Sequence, residues 1–377
     1  MRSEEKDETR TVAVRLARVD RPDKSRGALS QLQGRFEREA RERFDDGWSA
    51  EDEPAPPLET LVTEEQARSI IQSNDSPDIP FELSINPYRG CEHGCPYCYA
   101  RPSHAYLELS PGLDFESRLF AKVNAAELLR KELAKPGYVA KPISIGANTD
   151  CYQPIERRYR ITRQVIEVLA ECEHPLTMVT KSALLERDLD LLAPMAAKNL
   201  AKVFVTVTTL ERQLARRLEP RAASPQRRLE TIRALAAAGV PVGVMVAPVI
   251  PALTDKSLEE VLAAARAAGA SMAGYQLLRL PNELKDLFRE WLAANVPLRA
   301  DHVMSVIRSI RGGRDNDPRF GTRMTGTGHY AELIAKRFEI ACRRHALNGE
   351  ERGMAPRRSL DCTRFRAPSP GGQLNLF

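Results

Sequence analysis

The chain of 377 residues lacks any apolar run long enough to span a membrane. Its longest such run, residues 240–253, is short and carries three prolines. The first residues, MRSEEKDETR, are charged, which argues against a secretory signal. These absences predict a cytoplasmic protein. The net charge of +5 is mild, so it allows a nucleic-acid partner without demanding one.

Disulfide bonds are not expected in this chain. It has 7 cysteines, an odd number, and the cytoplasm is reducing. Three of them form a cluster, C-x3-C-x2-C, in the segment CEHGCPYC: Cys91, Cys95 and Cys98. A structural zinc site closes four ligands, usually from two paired knuckles, and no second knuckle exists here. His93 and His104 lie nearby without finger spacing. The alternative is an iron–sulfur cubane held by three cysteines, with one iron left open.

Composition changes along the chain and predicts four regions. Residues 1–57 form a charged, poorly ordered arm that ends in a proline-rich acidic run. Within it, residues 27–37 (GALSQLQGRFE) either dock on the core or belong to a floppy tail. Residues 58–296 form the core, residues 297–346 a helical extension with a Gly-rich loop, and residues 347–377 a basic, flexible tail.

Between residues 80 and 293, short β-branched runs alternate with stretches of helical apolar spacing. Six strand–helix units in succession predict an α/β fold with a parallel sheet and helices outside it. Such units build either a flat, doubly wound sheet or a curved, incomplete barrel, and periodicity does not separate the two. The predicted strands are residues 82–86, 143–147, 176–180, 202–208, 242–246 and 272–278. One predicted helix face carries Leu119, Val123, Ala126, Leu129 and Leu133.

The segment CEHGCPYC resembles the signature of the radical S-adenosylmethionine (SAM) superfamily, including an aromatic residue, Tyr97, before the third cysteine. The six units are similar to that superfamily's partial (β/α)6, TIM-like barrel. The resemblance implies that Cys91, Cys95 and Cys98 hold a [4Fe–4S] cluster and that SAM chelates the fourth iron. It also implies a low-potential electron donor, reductive cleavage of SAM, and a 5′-deoxyadenosyl radical that abstracts hydrogen from the substrate.

Polar side chains follow the second, third and fourth predicted strands, in the segments GANTD, VTKS and VTVTT. Ligands of parallel α/β folds bind at the carboxyl ends of strands, so these groups are candidates for holding SAM. Polar groups at three successive strand ends are a stronger signal than one. The candidate residues are Asn148, Thr149, Asp150, Lys181, Thr206 and Thr208.

These segments most resemble the spore photoproduct lyase branch, often labelled DNA repair photolyase-like. The matching segments are NTD, VTK, VTVTT, RLEP at residues 217–220 and APVIP. The resemblance implies that Thr149, Lys181 and Thr206 help hold SAM. Lys181 would take the carboxylate, and Tyr97 would lie near the adenosyl group.

One departure from the lyase pattern concerns its hydrogen donor. The lyase has a cysteine just before its T-S-D stretch, whereas Ala147 stands at that position here. Cys151 lies four residues later, either as a hydrogen-atom donor reaching the site or as an ordinary buried thiol. The sequence therefore does not predict repair of the same spore lesion by the same route.

The segment QLNLF at residues 373–377 follows a Pro- and Gly-containing stretch. It resembles the bacterial sliding-clamp-binding peptide, matching it at Gln373, Leu374, Leu376 and Phe377. The alternative is that it folds back onto the core. The arginines before it either contact DNA phosphates or form a solvated linker.

The resulting hypothesis is a radical SAM enzyme, lyase-like in its reaction, that acts on a nucleic-acid substrate, a DNA lesion or modified base. One alternative keeps the radical chemistry but makes the substrate a protein or small molecule. A second is a non-catalytic iron–sulfur module that binds DNA or senses redox state.

Overall fold

A computed structural model describes residues 26–37, 58–349 and 359–368. The rest of the predicted N-terminal arm lies outside the described residues, and so does the QLNLF segment. Residues 27–37, which the sequence allows either as a docked segment or as a floppy tail, pack on the core.

The described elements alternate as the sequence predicts. The strands are β1 (Leu61–Glu65), β2 (Ile71–Ser73), β3 (Leu83–Ile85), β4 (Tyr88–Arg89), β5 (Arg118–Lys122), β6 (Ile143–Ile145), β7 (Leu176–Thr180), β8 (Ala201–Thr206), β9 (Val242–Val249) and β10 (Met272–Leu277). The helices are α1 (Asp114–Ser117), α2 (Ala125–Leu133), α3 (Glu156–Tyr159), α4 (Ile161–Glu171), α5 (Leu189–Ala197), α6 (Arg212–Leu218), α7 (Pro225–Ala237), α8 (Leu258–Ala267), α9 (Leu284–Asn295), α10 (Ala300–Ser309) and α11 (His329–Arg344).

The main sheet has seven strands in the order β10-β9-β8-β7-β6-β3-β2. Its six predicted strands, β3 and β6 to β10, are parallel and follow chain order, while β2 pairs antiparallel with β3 at one edge. A doubly wound sheet reverses its strand order at a switch point, and no reversal occurs here. The sheet is therefore singly wound, as in a partial (β/α)6 barrel.

Local sequence explains why these elements form. Strand β7 (LTMVT) alternates between buried and half-buried residues, with helices outside it and the barrel interior inside. Helix α7 begins at a standard N-terminal signal, because the Ser224 hydroxyl accepts from the Arg227 N–H at 3.3 Å and Pro225 occupies the first helical position. Helices α2 and α4 bury one apolar face each against the sheet.

A second sheet of three strands, in the order β1-β5-β4, was not predicted. Strand β1 pairs parallel with β5, and β4 pairs antiparallel with β5. The predicted helix face from Leu119 onward was therefore wrong at its start, because Leu119 lies in β5 and the helix α2 begins at Ala125. Leu119 and Ala121 are both buried, which is the two-residue period of a strand.

Two predicted strands extend two residues too far at their carboxyl ends. Strand β6 ends at Ile145, so Ala147 lies outside it, and β8 ends at Thr206, so Thr208 lies in the following loop. Helices α10 and α11 fall in the predicted helical extension and flank the Gly-rich loop. Within the described residues, no helix combines the length and apolar character that a membrane crossing needs.

Part of the basic tail packs on the core. In residues 359–368 the N–H of Asp361 donates to the Asn199 carbonyl at 3.0 Å, and that of Arg366 donates to the Cys172 carbonyl at 2.9 Å. The side chains of Arg364 and Arg366 lie 3.5 and 4.0 Å from the carboxylate of Glu173. These two arginines of the tail are therefore ion-paired rather than free in a linker.

Candidate active site

The cysteine loop, residues 90–99, leaves the carboxyl side of β3 and β4 and carries all three clustered cysteines. Gly94 lies in its middle with φ of +70°, a conformation that favours glycine. A Cβ at Gly94 would also lie 2.8 Å from Glu116 Oε2. The sequence CEHGC therefore needs its glycine for two reasons, backbone conformation and close packing.

The three cysteines of the loop are free thiols. Cys91 and Cys95 are buried, and Cys98 is half-buried. Among the described residues, no three His, Cys, Asp or Glu side chains converge closely enough to hold a single metal ion. A tetrahedral zinc site requires such convergence, whereas the cysteines of an iron–sulfur cubane bind different irons. Three free thiols in one short loop are the donors that a cubane with one open iron would take.

A buried ion pair supports the loop from behind. Arg101 and Glu116 are both fully buried, and the Arg101 guanidinium donates to a carboxylate oxygen of Glu116. Arg101 also donates to the Cys95 carbonyl at 2.8 Å and to the carbonyl oxygens of Pro111 and Gly112. The backbone at Cys95 is thus held by a charge that Glu116 compensates.

The N-terminal strap, residues 26–37, covers this ion pair. The N–H groups of Gly27 and Ala28 donate to the Glu116 carboxylate at 2.9 and 2.7 Å. The side chain of Arg26 donates to the Glu116 carbonyl at 2.7 Å. The strap therefore satisfies the carboxylate that Arg101 leaves partly free, and it closes the back of the cysteine loop to water.

Gly27→Ala is expected to displace the strap, because a Cβ at Gly27 would lie 1.6 Å from the Gly94 carbonyl oxygen. We expect the free energy of unfolding to fall by about 1–3 kcal/mol, measured by urea denaturation, with faster tryptic cleavage at Arg35. Gly349→Ala is the control, since a Cβ at Gly349 would meet no atom within 4 Å. Equal losses in the two variants would contradict close packing of the strap.

On the inner side of the loop, Tyr97 joins a buried polar network. Its hydroxyl donates to Glu219, which also accepts from the Thr208 hydroxyl at 2.6 Å and from the Arg228 guanidinium. Burial alone raises the pKa of Glu219, but Arg228 and Lys181 hold that pKa down at about 2. Glu219 is therefore an anion at neutral pH and fixes the orientation of the Tyr97 ring.

Lys181 follows β7 and lies above Tyr97, with its ammonium 5.8 Å from the ring centroid. Burial lowers the pKa of Lys181, but Cys95 and Glu219 raise it above its usual value, so the side chain stays charged. Among the described residues, no carboxylate forms an ion pair with this ammonium. Lys181 is thus a cation available to a ligand beside the cysteine loop.

Asp150 organises the strand ends around Lys181. Its carboxylate accepts from the Thr180 hydroxyl at 2.7 Å and from the Lys181 N–H at 2.8 Å, and it lies 3.3 Å from His93 Nδ1. Burial raises the pKa of Asp150, but the His93 ring and these hydrogen bonds bring it below its usual range. Asp150 therefore connects the cysteine loop to β7 rather than facing an open site.

The other predicted site residues differ in whether their side chains are already hydrogen-bonded within the protein. The Thr149 hydroxyl donates to the Tyr88 carbonyl at 2.8 Å, so it is engaged in the backbone. Thr206 is buried at the end of β8, and its carbonyl accepts from Arg228 at 3.1 Å. Asn148 is half-buried, and its side chain makes no hydrogen bond within the described residues.

Cys151 has no solvent exposure and belongs to the main hydrophobic core. Its sulfur lies 3.0 Å from the position that a Cβ on Gly146 would take. Burial raises the pKa of the thiol well above its ordinary value. These surroundings are those of a buried structural thiol.

Several important residues were missed from the sequence. Glu219 lies in the RLEP segment that carried the family resemblance, but nothing local marks it as the partner of Tyr97, 122 residues away. Arg228 sits inside an amphipathic helix and Glu116 in a short one. A charged residue in an otherwise apolar helix face was the available signal for Arg228.

A cleft of about 480 Å³ opens at the carboxyl ends of β6 and β7, beside the cysteine loop. This size is that of a small-molecule site. Three arginines line this cleft. Arg221 forms an ion pair with Glu92 and Arg227 forms one with Glu186, while the side chain of Arg157 is exposed to solvent. The lining residues are His93, Tyr152, Pro154, Arg157, Ser182, Ala183, Leu184, Arg221, Ala222, Ala223 and Arg227.

Comparison with known sequences identifies the family. The model of the radical SAM superfamily matches residues 85–265. The chain belongs to the radical SAM superfamily. It is 41% identical over 281 residues to an uncharacterized protein of Mycobacterium tuberculosis (strain ATCC 25618 / H37Rv), a match that covers 74% of this chain and 78% of that protein. An uncharacterized protein of Methanocaldococcus jannaschii is 28% identical over 171 residues, 45% of this chain and 61% of that one.

Solved structures of spore photoproduct lyase share the fold of this radical SAM protein. The lyase complexed with dinucleoside spore photoproduct aligns with a TM-score of 0.57 and 16% identity over 75% of this chain and 79% of that one. A C140A/S76C mutant with bound AdoMet and the same dinucleoside aligns equally well, also at 0.57. Radical SAM enzymes use a [4Fe–4S] cluster and SAM, so this chain is an enzyme of that chemistry.

Proposed function

We propose that Cys91, Cys95 and Cys98 hold the [4Fe–4S] cluster, and that the enzyme acts on a nucleic-acid substrate. The cluster and SAM supply reductive cleavage of SAM to a 5′-deoxyadenosyl radical. The observation that carries the site assignment is the juxtaposition of three free cysteines, the Lys181 ammonium, which forms no ion pair in the described part of the chain, and the strand ends of a singly wound barrel.

The chain's own residues divide the work of holding SAM. Lys181 binds the carboxylate of SAM, because its ammonium is charged and has no carboxylate partner among the described residues. Tyr97, held by Glu219, presents a fixed aromatic face near the adenosyl group. Asn148 offers a free amide, while Thr149, Asp150, Thr206 and Thr208 shape the strand ends through bonds within the protein.

Two observations support a nucleic-acid substrate: the similarity of sequence segments to spore photoproduct lyase and the fold shared with its structures. The lyase structures that share this fold carry a dinucleoside spore photoproduct. The strand-end segments of this chain, from NTD to APVIP, resemble those of the lyase. It lacks the lyase's cysteine before T-S-D, so we expect a different lesion or modified base. Binding of a sliding clamp through Gln373, Leu374, Leu376 and Phe377 stays a prediction.

The proposed function predicts hydrogen transfer from a nucleic acid into 5′-deoxyadenosine. The test uses anaerobically reconstituted protein with SAM, dithionite and deuterated oligonucleotides, either ultraviolet-irradiated or untreated. We expect 5′-deoxyadenosine to carry one deuterium from one of these substrates, measured by mass spectrometry. Failure to form any 5′-deoxyadenosine would contradict the proposed cleavage of SAM by this protein. If 5′-deoxyadenosine takes up deuterium only from a deuterated peptide or metabolite mixture, the substrate is a protein or a small molecule and not a nucleic acid.

A further inference from the structure

The Gly-rich loop links the two edges of the main sheet. This seam loop, residues 311–328, pairs with β10 through the Leu277 N–H, which donates to the Met324 carbonyl at 3.0 Å. It reaches the connection between β2 and β3 through the Gly321 N–H, which donates to Asp78 Oδ1 at 2.6 Å. Arg323 donates to Asp78 as well. The loop therefore bridges the seam that an incomplete barrel leaves open.

One side chain beside the seam loop is poorly satisfied. Arg279 follows β10 by two residues, and its Nε is buried without a hydrogen-bond partner. Its Nη1 lies 3.5 Å from the sulfur of Met324, and its guanidinium lies 5.9 Å from the Tyr99 ring centroid. Within the described residues it forms no ion pair. Arg279 is half-buried, and a partly desolvated cation without a counter-ion costs free energy that a bound anion would offset.

The surroundings of Arg279 are positive. Burial, followed by the charge of Arg323, lowers the pKa of Arg279. Burial, followed by Arg279, lowers the pKa of the fully buried Arg311 to about 10. Of the nearby carboxylates, Asp78 is bound by Arg323, and Asp317 is bound by Arg319. An anion would therefore relieve repulsion between arginines that the protein itself leaves unbalanced.

Two aromatic rings stand exposed next to these arginines. Tyr99 directly follows the third clustered cysteine, is 44% exposed and donates its hydroxyl to the Ala147 carbonyl. Phe320 of the seam loop is 61% exposed, and the Arg323 guanidinium lies 4.5 Å from its ring centroid. Exposed rings beside cations are the usual platform for single-stranded nucleic acids, where bases stack and phosphates pair with charge.

We propose that Arg279 binds a backbone phosphodiester of a single-stranded nucleic acid and that an adjacent base stacks on Tyr99. This assignment rests on the proposed nucleic-acid substrate and makes it specific. The phosphate oxygens accept from the guanidinium of Arg279, whose Nη1 lies against the seam loop, 3.5 Å from the sulfur of Met324. The strand then enters the barrel mouth beside the cysteine loop.

The test compares Arg279→Gln with Arg233→Gln in the reconstituted full-length protein. Arg233 is exposed on α7, and its substitution makes the same change in net charge. Fluorescence anisotropy measures binding of a labelled single-stranded oligonucleotide over a salt series. We expect R279Q to weaken binding roughly tenfold, as for loss of one charge-assisted bond. The slope of log K against log salt should fall by about 1. R233Q should bind as the wild type does.

A second oligonucleotide probe tests the contribution of a single phosphate charge to binding. In it, one linkage of a short oligonucleotide is a neutral methylphosphonate, placed at each position in turn. Wild-type protein should lose affinity at one linkage, and R279Q should not distinguish that probe from the normal one. R279Q should also melt no lower than wild type, because it removes a half-buried cation that forms no ion pair within the described residues. Arg279→Lys keeps the charge and should retain the salt slope, which serves if the glutamine variant folds poorly.

The possible results distinguish failure of the proposed Arg279 phosphate site from failure of the proposed nucleic-acid substrate. If wild type binds and R279Q binds equally with the same slope, the Arg279 site is overturned while a nucleic-acid substrate stands. If the wild-type protein binds no oligonucleotide and takes no deuterium from one, both are overturned. A melting temperature well below that of the wild type, with unchanged affinity, would make Arg279 a structural residue.

Discussion

Cys95→Ala is expected to lose iron binding and 5′-deoxyadenosine formation. Cys95 lies in the centre of the cysteine loop, its carbonyl is held by Arg101, and Lys181 lies close to its thiol. A cluster with one of its three protein ligands removed has two unprotected irons. We expect activity to fall by at least about 100-fold, since even changes behind the ligands cost 10–100-fold in metal affinity. Iron content, visible absorbance and product formation after anaerobic reconstitution measure the effect.

Cys342→Ala is the matched control for this prediction. Cys342 is also a buried cysteine, but it lies in α11, far along the chain from the loop. We expect it to bind iron like the wild-type protein. A brown C95A protein with full iron content would contradict the ligand assignment, and iron loss in both variants would point to unfolding.

The fold was predictable wherever its signal is local. Each predicted strand of the barrel is present, because short β-branched runs between helical stretches are visible in any window of the chain. The pairing of β1 with β5 was not predictable in this way. It joins Leu61 to Arg118, and its formation depends on contacts that no short window contains. The choice of barrel over doubly wound sheet likewise needed the strand order.

The candidate site shows the same division. The cysteine spacing and the polar strand ends are enough to predict that Cys95, Lys181 and Thr208 share one region. The structure adds that Thr208 is occupied by Glu219, whereas Lys181 is not paired with any carboxylate among the described residues. The sequence alone does not show whether a polar side chain already has a hydrogen-bond or ion-pair partner within the protein. Only the distances to residues such as Arg228 separate a group that supports the site from one that can bind a ligand.

Glu116→Gln is expected to destabilise the protein more than any other change behind the cysteine loop. The amide keeps the shape of the carboxylate but leaves the fully buried Arg101 without a counter-ion. The NH2 group of the amide would also face one of the two N–H groups, of Gly27 or of Ala28, that now donate to the carboxylate. Breaking a buried ion pair from one side costs about 3–5 kcal/mol. Because Arg101 holds the Cys95 carbonyl, we expect faster loss of iron to a chelator alongside a lower free energy of unfolding.

Glu171→Gln supplies the control, since Glu171 pairs with Arg130 at the surface, where both side chains are about half exposed. An exposed pair contributes less than about 1 kcal/mol, so E171Q should unfold nearly as the wild type does. In the double variant E116Q/R101M the two losses should not add, because the second change removes the charge that the first one stranded. Equal effects of E116Q and E171Q, or strict additivity in the double variant, would mean that the buried pair does not support the loop.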